Sequence, residues 1–116
     1  MIMRSILALL VILGGAVPLA AHHGWGSYDA AKPVTVTGKI KTSKFENPHV
    51  TITIEGPAKV WTVTLAPPPR MLSRGALEKL VAVGQTVEAY GYPSTAAKDE
   101  MRAERITVDG KRYEMR

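Results

Sequence analysis

All three histidines of this chain fall in two short motifs, and their positions point to metal chemistry. His22 and His23 are adjacent and follow Ala21, while His49 follows an Asn-Pro pair. If processing leaves His22 as the first residue, its free amine and its imidazole can chelate one copper ion. An imidazole from elsewhere would complete a T-shaped set of three nitrogens, and tetragonal nitrogen coordination suits copper. We therefore predict a copper site with His22, His23 and His49 as its candidate ligands.

Two coordination modes remain open for this site. In the first, His22 binds copper together with His49. In the second, His23 binds through the terminal amine, the intervening deprotonated amide and its own imidazole.

Zinc fits less well, since the chain has no cysteine and a single separate histidine supplements the terminal pair. A purely structural role is the alternative, in which the His-His-Gly start merely suits cleavage and His49 braces its turn. Methionine usually fills a core but also offers a soft ligand for reduced copper, and the candidates are Met71, Met101 and Met115.

The first 21 residues have the pattern of a signal peptide. Arg4 is followed by an uncharged run up to Ala21, with an apolar centre over residues 6–13. About 12 strongly apolar residues precede Pro18, whereas a membrane-spanning helix needs about 20. We therefore expect cleavage after Ala21 and a mature chain that begins at His22 in the periplasm or outside the cell. An uncleaved anchor is the alternative.

Length and composition narrow the remaining classes of protein. A chain of 116 residues has room for one hydrophobic core. The formal net charge is +5, but the basic residues are scattered singly with acids between them, which favours a solvated surface over a nucleic-acid footprint. The absence of cysteine excludes disulfides, thiolate metal sites, a cysteine nucleophile and a lipid-acceptor cysteine.

Beyond the histidine-rich terminus, apolar and polar residues alternate with the period of β-strands. Val34, Val36 and Ile40 share one face of the first such run, and later runs repeat the pattern. A change of apolar parity predicts a β-bulge near Glu104, and Asp109-Gly110 is a favoured two-residue hairpin turn. The predicted elements are strands over 34–41, 50–54, 60–65, 86–92, 101–108 and 111–115, and one helix over 71–81 with Ser73 as its N-cap.

Three strands, a helix, then two strands and a hairpin is the element order of an OB-fold. We therefore predict an all-β fold with one short helix, namely an OB-fold-like, five- to six-stranded Greek-key barrel over residues 34–116. An N-terminal arm over residues 22–33 precedes it, with Trp25 and Tyr28 as anchors to the barrel. A small open β-sandwich is the alternative.

Aromatic and charged side chains provide further candidates for binding. Tyr90 and Tyr92 share the outer face of the predicted fourth strand and are the best candidates for a ligand surface, whereas Trp61 has core parity. A charged set on the predicted fifth strand offers a site for an anionic ligand, and it consists of Glu100, Arg102, Glu104 and Arg105. Strand alternation places the first three on one face, and we expect these residues to form cross-strand ion pairs in solvent instead. We expect Arg70 and Arg74 to face solvent rather than to clamp a phosphate.

Several motifs along the mature chain, taken together, resemble one family. These are His22-His23-Gly24-Trp25-Gly26-Ser27-Tyr28-Asp29, Asn47-Pro48-His49, Leu65-Ala66-Pro67-Pro68, Arg70-Met71, Arg74-Gly75, Gly91-Tyr92-Pro93 and Glu100-Met101-Arg102-Ala103-Glu104-Arg105-Ile106. The set is similar to a family of small exported bacterial proteins known as a domain of unknown function. That resemblance implies no reaction, ligand or catalytic residue. Phe45 stands where the resemblance leads us to expect Trp.

These observations favour a binding protein over an enzyme. Ser27, His23 and Asp29 have the residue types of a catalytic triad, but neighbours in one short segment rarely reach triad geometry, and no nucleophile elbow is present. We therefore expect a small exported module that binds copper through its histidine terminus. The alternative is a metal-free interaction or structural module that recognises an envelope component through a barrel face, and neither hypothesis involves nucleic acid.

Overall fold

The computed structural model describes residues 24–116. The predicted signal peptide, together with His22 and His23, lies outside the described residues. Within residues 24–116 the strands and helices have these bounds: a 3-10 helix (Trp25–Ser27), β1 (Val34–Lys44), β2 (Thr51–Glu55), β3 (Val60–Thr64), α1 (Pro68–Ser73), a second 3-10 helix (Glu78–Val81), β4 (Thr86–Pro93), β5 (Glu100–Val108) and β6 (Lys111–Glu114).

The strands form one sheet that closes into a barrel. Their order is β3-β2-β1-β4-β5-β6, and β3 also pairs with β5. This closing pair is parallel, with Thr62 opposite Glu100 and Thr64 opposite Arg102, whereas the other pairs are antiparallel. Five strands thus form a closed OB-fold-like barrel and β6 extends it beyond β5. The predicted fold class is confirmed, and the open β-sandwich is wrong.

The period-two runs build the core as expected, because alternate side chains point to opposite faces of a strand. Ile52, Ile54 and Val63 are buried, while the threonines between them are half-buried on the outer face. Trp61 packs against this core but keeps part of its surface exposed. The structure assigns the three methionines proposed as soft copper ligands to core filling, since all are buried: Met71, Met101 and Met115.

The predicted helix over 71–81 is wrong in its bounds. The chain forms α1 at Pro68–Ser73 and a separate 3-10 helix at Glu78–Val81. Proline suits the first turn of a helix, and α1 accordingly begins at Pro68. Gly75 then adopts a φ of +80°, which breaks the run. Ser73 is therefore not an N-cap: it lies at the C-terminal end of α1, and its hydroxyl donates to the Arg70 carbonyl at 3.0 Å.

The bulge and the final hairpin are confirmed. Ala103 pairs with Gly91 and Arg105 with Tyr90, so Glu104 is the extra residue on β5. The Asp109 and Gly110 backbones both have positive φ, 50° and 76°, as a type I′ turn requires.

No helix within residues 24–116 is both long enough and apolar enough to cross a membrane.

Candidate functional site

The N-terminal arm from Gly24 to Pro33 lies against the end of β4 and the loop that follows it. The Asp29 amide donates to the Pro93 carbonyl at 2.9 Å, and the Thr95 amide donates to the Ser27 carbonyl at 2.9 Å. Tyr28 forms an isolated antiparallel bridge with Ser94. The arm is therefore an added piece of the barrel surface, held by backbone hydrogen bonds.

Trp25 and Tyr28 anchor this arm, as the sequence predicted. The Tyr28 hydroxyl donates to the Glu100 carboxylate at 3.4 Å and contacts the Thr64 hydroxyl on β3. The Trp25 ring packs edge-on against Tyr92, with ring centroids 6.0 Å apart. Tyr28 therefore reaches β3 and β5, whereas Trp25 packs on β4, the strand whose Pro93 carbonyl the arm also binds.

Two guanidinium groups lie against the Trp25 ring. The Arg102 guanidinium carbon is 4.3 Å from the ring centroid, and the Arg116 carbon is 4.4 Å from it. Each distance is within the range of a cation–π contact. Trp25 thus brings together one arginine from β5 and another from beyond β6.

The aromatic row continues along β4. Tyr90 packs edge-on against Tyr92 with centroids 6.3 Å apart, and the Arg105 guanidinium carbon lies 4.0 Å from the Tyr90 centroid. These two tyrosines share the outer face of β4, as the sequence predicted, and both are half-buried. We call the connected set the arm-side surface, and it consists of Trp25, Tyr90, Tyr92, Arg102, Arg105 and Arg116.

Two arginines of the α1 region hold the C-terminal residues beside this surface. Arg70 donates to the Met115 carbonyl at 3.3 Å, and Arg74 donates to the main-chain oxygen of Arg116 at 2.9 Å. Both arginines are exposed, as the sequence predicted. They bind the chain rather than standing free in solvent, and they add two positive charges beside Arg116.

The bulge residue Glu104 also positions the end of the chain. Its carbonyl accepts from the Met115 amide at 2.9 Å, and its carboxylate lies 3.7 Å from the Arg116 guanidinium. The ion pair is loose, and the Arg116 side chain is 56% exposed. Glu104 therefore lies beside Arg116 and leaves much of the Arg116 side chain open to solvent.

Arg102 is buried, at 6% exposure, so the solvated charged face predicted for β5 is wrong at this residue. The physical reason is the arm, because the Trp25 ring lies against the Arg102 guanidinium. Burial lowers the pKa of Arg102, and the nearby positive charges of Arg116 and Arg70 lower it further. A guanidinium remains charged in a protein, so the arm-side surface carries concentrated positive charge.

Tyr28 is the second group with a shifted pKa in this region. Burial raises its pKa, the Thr64 hydrogen bond lowers it, and the Glu100 carboxylate raises it again, with a net increase. The phenol is therefore held in its neutral form, which can donate a hydrogen bond to Glu100.

His49 lies in the loop between β1 and β2, after a cis Asn47-Pro48 bond. It is half-buried, and its carbonyl accepts from the Thr51 hydroxyl at 3.5 Å. Among residues 24–116 no group of three or more histidine, cysteine or carboxylate side chains is placed to hold a metal ion. His49 is thus the described member of the predicted copper set, and the set as a whole stays a prediction.

Sequence reasoning considered Arg102 and Arg105 for an anionic ligand but favoured a solvated face, and it did not include Arg116. They are separated in the sequence by neutral and acidic residues, and the barrel closure brings them together. One sequence signal was available. Strand alternation places Arg102 on the same face as Glu100, and the N-terminal arm carries two aromatic residues that can pack on such a face, Trp25 and Tyr28. Arginine stacked on an aromatic ring is a frequent arrangement in binding surfaces.

Solved structures of TiaS, a tRNA agmatidine synthetase, resemble this chain. A ZRD-deleted mutant of TiaS in complex with agmatine matches at 21% identity and a TM-score of 0.54, over 75% of this chain and 27% of that one. TiaS in complex with tRNA and ATP matches at 22% identity and a TM-score of 0.50, over 70% of this chain and 19% of that one. This chain thus spans about a quarter of the length of the first, and the likeness concerns the fold alone.

A search of curated proteins finds no match. A family model does match, over residues 10–103, and its description is "Family of unknown function (DUF6152)". The match covers most of the chain, including the arm, the first five strands up to Ala103 and the loop that carries His49. The resemblance noted in the sequence is therefore confirmed: this chain belongs to DUF6152, a family whose function is unknown.

Proposed function

We propose that this protein is an exported binding module that recognises an anionic envelope component through the arm-side surface. The observation that carries the proposal is the placement of Arg102 and Arg116 against one ring, Trp25. Stacking holds a guanidinium plane in place, and the Arg116 side chain is 56% exposed, which suits recognition of carboxylate, sulfate or phosphate oxygens by its edge N–H groups. The buried Arg102 adds positive charge beneath the same ring. Binding, rather than catalysis, is the activity that this arrangement supports.

The location on the fold agrees with this proposal. OB-folds bind ligands on the face of their second and third strands and at the loops that flank it. Thr62 and Thr64 of β3 pair with Glu100 and Arg102 of β5, so the arm-side surface continues from that face. If the chain is exported, as its first 21 residues predict, the module meets the anionic polymers and lipids of the envelope.

Retention on immobilised heparin, eluted with a salt gradient, tests the proposal. A basic protein binds a polyanion non-specifically, so charge-matched variants are needed. We expect the double variant Arg105→Gln/Arg116→Gln to elute at clearly lower salt than Lys39→Gln/Arg112→Gln, which removes two exposed charges elsewhere. Equal elution of the two double variants would contradict the proposed surface.

Copper binding by His22, His23 and His49 is a second proposal, and one feature of the fold favours it. The Val50 carbonyl, next to His49, accepts from the Leu65 amide at 2.8 Å, and the adjacent Thr64 contacts Tyr28 of the arm. The arm and the loop of His49 therefore both meet the end of β3. A copper ion held by the terminal amine, His22 and His49 would use this proximity, whereas the mode with His23 would not need it.

A further inference from the structure

We propose that the outer face of residues 68–84 docks on a membrane of anionic phospholipid. These residues run from α1 to the turn before β4, and we call them the cap segment. They include no member of the arm-side surface. Membrane docking is therefore a second activity, on a different face from the proposed recognition of an anionic component.

The cap segment exposes three large apolar side chains. Leu72 is 54% exposed, Leu77 is 44% exposed and Val83 is 67% exposed. Elsewhere in residues 24–116 the one large apolar side chain that is exposed is Val60 of β3, at 38%. An exposed apolar patch rimmed by polar groups marks a site for a protein or a membrane. The cap segment therefore concentrates the apolar surface that the barrel leaves open to solvent.

The local structure explains why these side chains face outward. The inner side of the cap segment packs into the core through three buried residues: Met71, Ala76 and Val81. Leu72 and Leu77 each directly follow one of them. Between the two leucines, the Gly75 amide donates to the Leu72 carbonyl at 3.0 Å and the Ala76 amide donates to the Met71 carbonyl at 2.8 Å, the pattern of a Schellman turn. The outward position of both leucines is thus built into the fold.

Basic side chains accompany this apolar face. The cap segment contains three basic residues and one acid: Arg70, Arg74 and Lys79, with Glu78. Lys41 joins them from β1, because the Gly84 amide donates to the carbonyl of its neighbour Ile40 at 2.9 Å. Lys41 and Lys79 are both exposed. An apolar face with a basic rim is the arrangement of proteins that lie on an anionic lipid surface.

The charge of the rim selects the occupant. If a second copy met this face about a two-fold axis, the same basic patch would lie on both sides of the interface and repel itself. An anionic bilayer instead attracts each Lys or Arg near its surface, by about fivefold in affinity per residue. Arg70 and Arg74 are engaged with main-chain oxygens at the end of the chain, so we assign the headgroup contacts to Lys41 and Lys79.

Sedimentation with vesicles tests the apolar contact. The protein obtained by export is mixed with vesicles of phosphatidylcholine alone or of equal parts phosphatidylcholine and phosphatidylglycerol, and we expect clearly tighter binding to the second. Leu72→Ser and Val83→Ser should each weaken it by about fivefold. Val60→Ser is the matched control and should leave it unchanged. A retained leader would add equally to every variant, so the comparison among variants holds.

A charge-matched pair of variants tests the basic rim. Lys41→Gln/Lys79→Gln should weaken binding to the phosphatidylglycerol vesicles by about tenfold or more. Lys39→Gln/Arg112→Gln removes two exposed charges outside the cap segment and should have a clearly smaller effect. The substituted side chains are exposed, so circular dichroism and the Tm should be close to those of the wild type.

The absence of cysteine from the chain allows one dye to report contact with the bilayer. Val83→Cys, labelled with an environment-sensitive dye, should shift its emission to the blue on addition of the phosphatidylglycerol vesicles. The same dye on Val60→Cys should not shift. Equal shifts at the two positions would contradict docking through the cap segment.

Three further results would overturn membrane docking. The first is equal binding to vesicles with and without phosphatidylglycerol. The second is binding that Arg105→Gln/Arg116→Gln abolishes and Val83→Ser does not, which would assign the lipid to the arm-side surface. The third is self-association without vesicle binding that Val83→Ser abolishes, which would identify a second copy as the occupant. None of these results bears on the heparin comparison, which tests the proposed function separately.

Discussion

The Arg102 guanidinium lies 4.3 Å from the centre of the Trp25 ring, so the arm covers a charge in the barrel wall. Arg102 is 6% exposed as a result. The contact couples two features that are far apart in sequence, the start of the arm and the strand that closes the barrel. The stability of the arm and the electrostatics of the arm-side surface therefore depend on the same pair of side chains.

Removal of the Trp25 ring should loosen the arm. We expect Trp25→Ala to accelerate hydrogen exchange at the Asp29 and Thr95 amides, whose hydrogen bonds join the arm to the β4–β5 end of the barrel. The Ile52 amide in the barrel should keep its protection. Unchanged exchange at Asp29 would contradict the anchoring role of Trp25.

Gly91 should not tolerate a side chain. An added Cβ would overlap the main-chain oxygen of Arg102, at the point where β4 faces the bulge. We expect Gly91→Ala to lower the free energy of unfolding by about 1–3 kcal/mol in urea titration. Gly26→Ala is the matched control, since no atom lies within 4 Å of its added Cβ, and an equal loss in both variants would contradict the steric account.

Tyr28 should make the fold sensitive to alkaline pH. Burial raises the pKa of Tyr28 above its usual 10.0, and although the Thr64 hydrogen bond lowers this pKa, the Glu100 carboxylate raises it again. The stability that depends on the neutral phenol is therefore fully present below about pH 10 and is lost as pH rises through the raised value. Tyr28→Phe should lose less stability than the wild type between about pH 9 and pH 11, measured by urea unfolding, and parallel losses would argue against this role.

Copper binding should depend on the terminal amine. In the first mode, His49→Ala weakens binding and changes the visible and electron paramagnetic resonance spectra, whereas the mode with His23 is indifferent to this substitution. An extra residue before His22 should abolish both modes, because it displaces the amine and shifts the histidine spacing. Tight copper binding that survives both changes would reject the terminal site.

Local patterns predicted most of the barrel. Alternation gave the buried set around Ile52 and Val63, the parity change located the bulge at Glu104, and Asp109-Gly110 specified its hairpin. The predicted bounds of the helix were wrong because two signals oppose the spacing of the apolar residues. Pro68-Pro69 starts α1 early, and Gly75 ends it. The three-and-four spacing of apolar residues does not by itself show where proline or glycine starts or ends a helix.

The candidate site was harder to predict, since its parts meet through long-range pairing. Tyr90 and Tyr92 were identified because they lie two residues apart on one strand. Arg70, Arg102 and Arg116 come from the α1 region, β5 and the residue after Met115, and no short-range pattern links them. Arg102 in particular was expected in solvent, because strand parity does not reveal that an arm will cover the outer face.

The central claim is that the arm-side surface binds the anionic ligand, and nuclear magnetic resonance tests it most directly. Inorganic pyrophosphate, added to the labelled protein, should shift the indole N–H of Trp25 and the Nε–H signals of Arg102 and Arg116 with saturation, while the Trp61 indole remains in place. Trp61 serves as an internal control because it is not part of the arm-side surface, and its ring centroid lies 4.2 Å from the Lys59 ammonium. Equal shifts at both indoles, or shifts confined to lysines such as Lys39, would contradict the account.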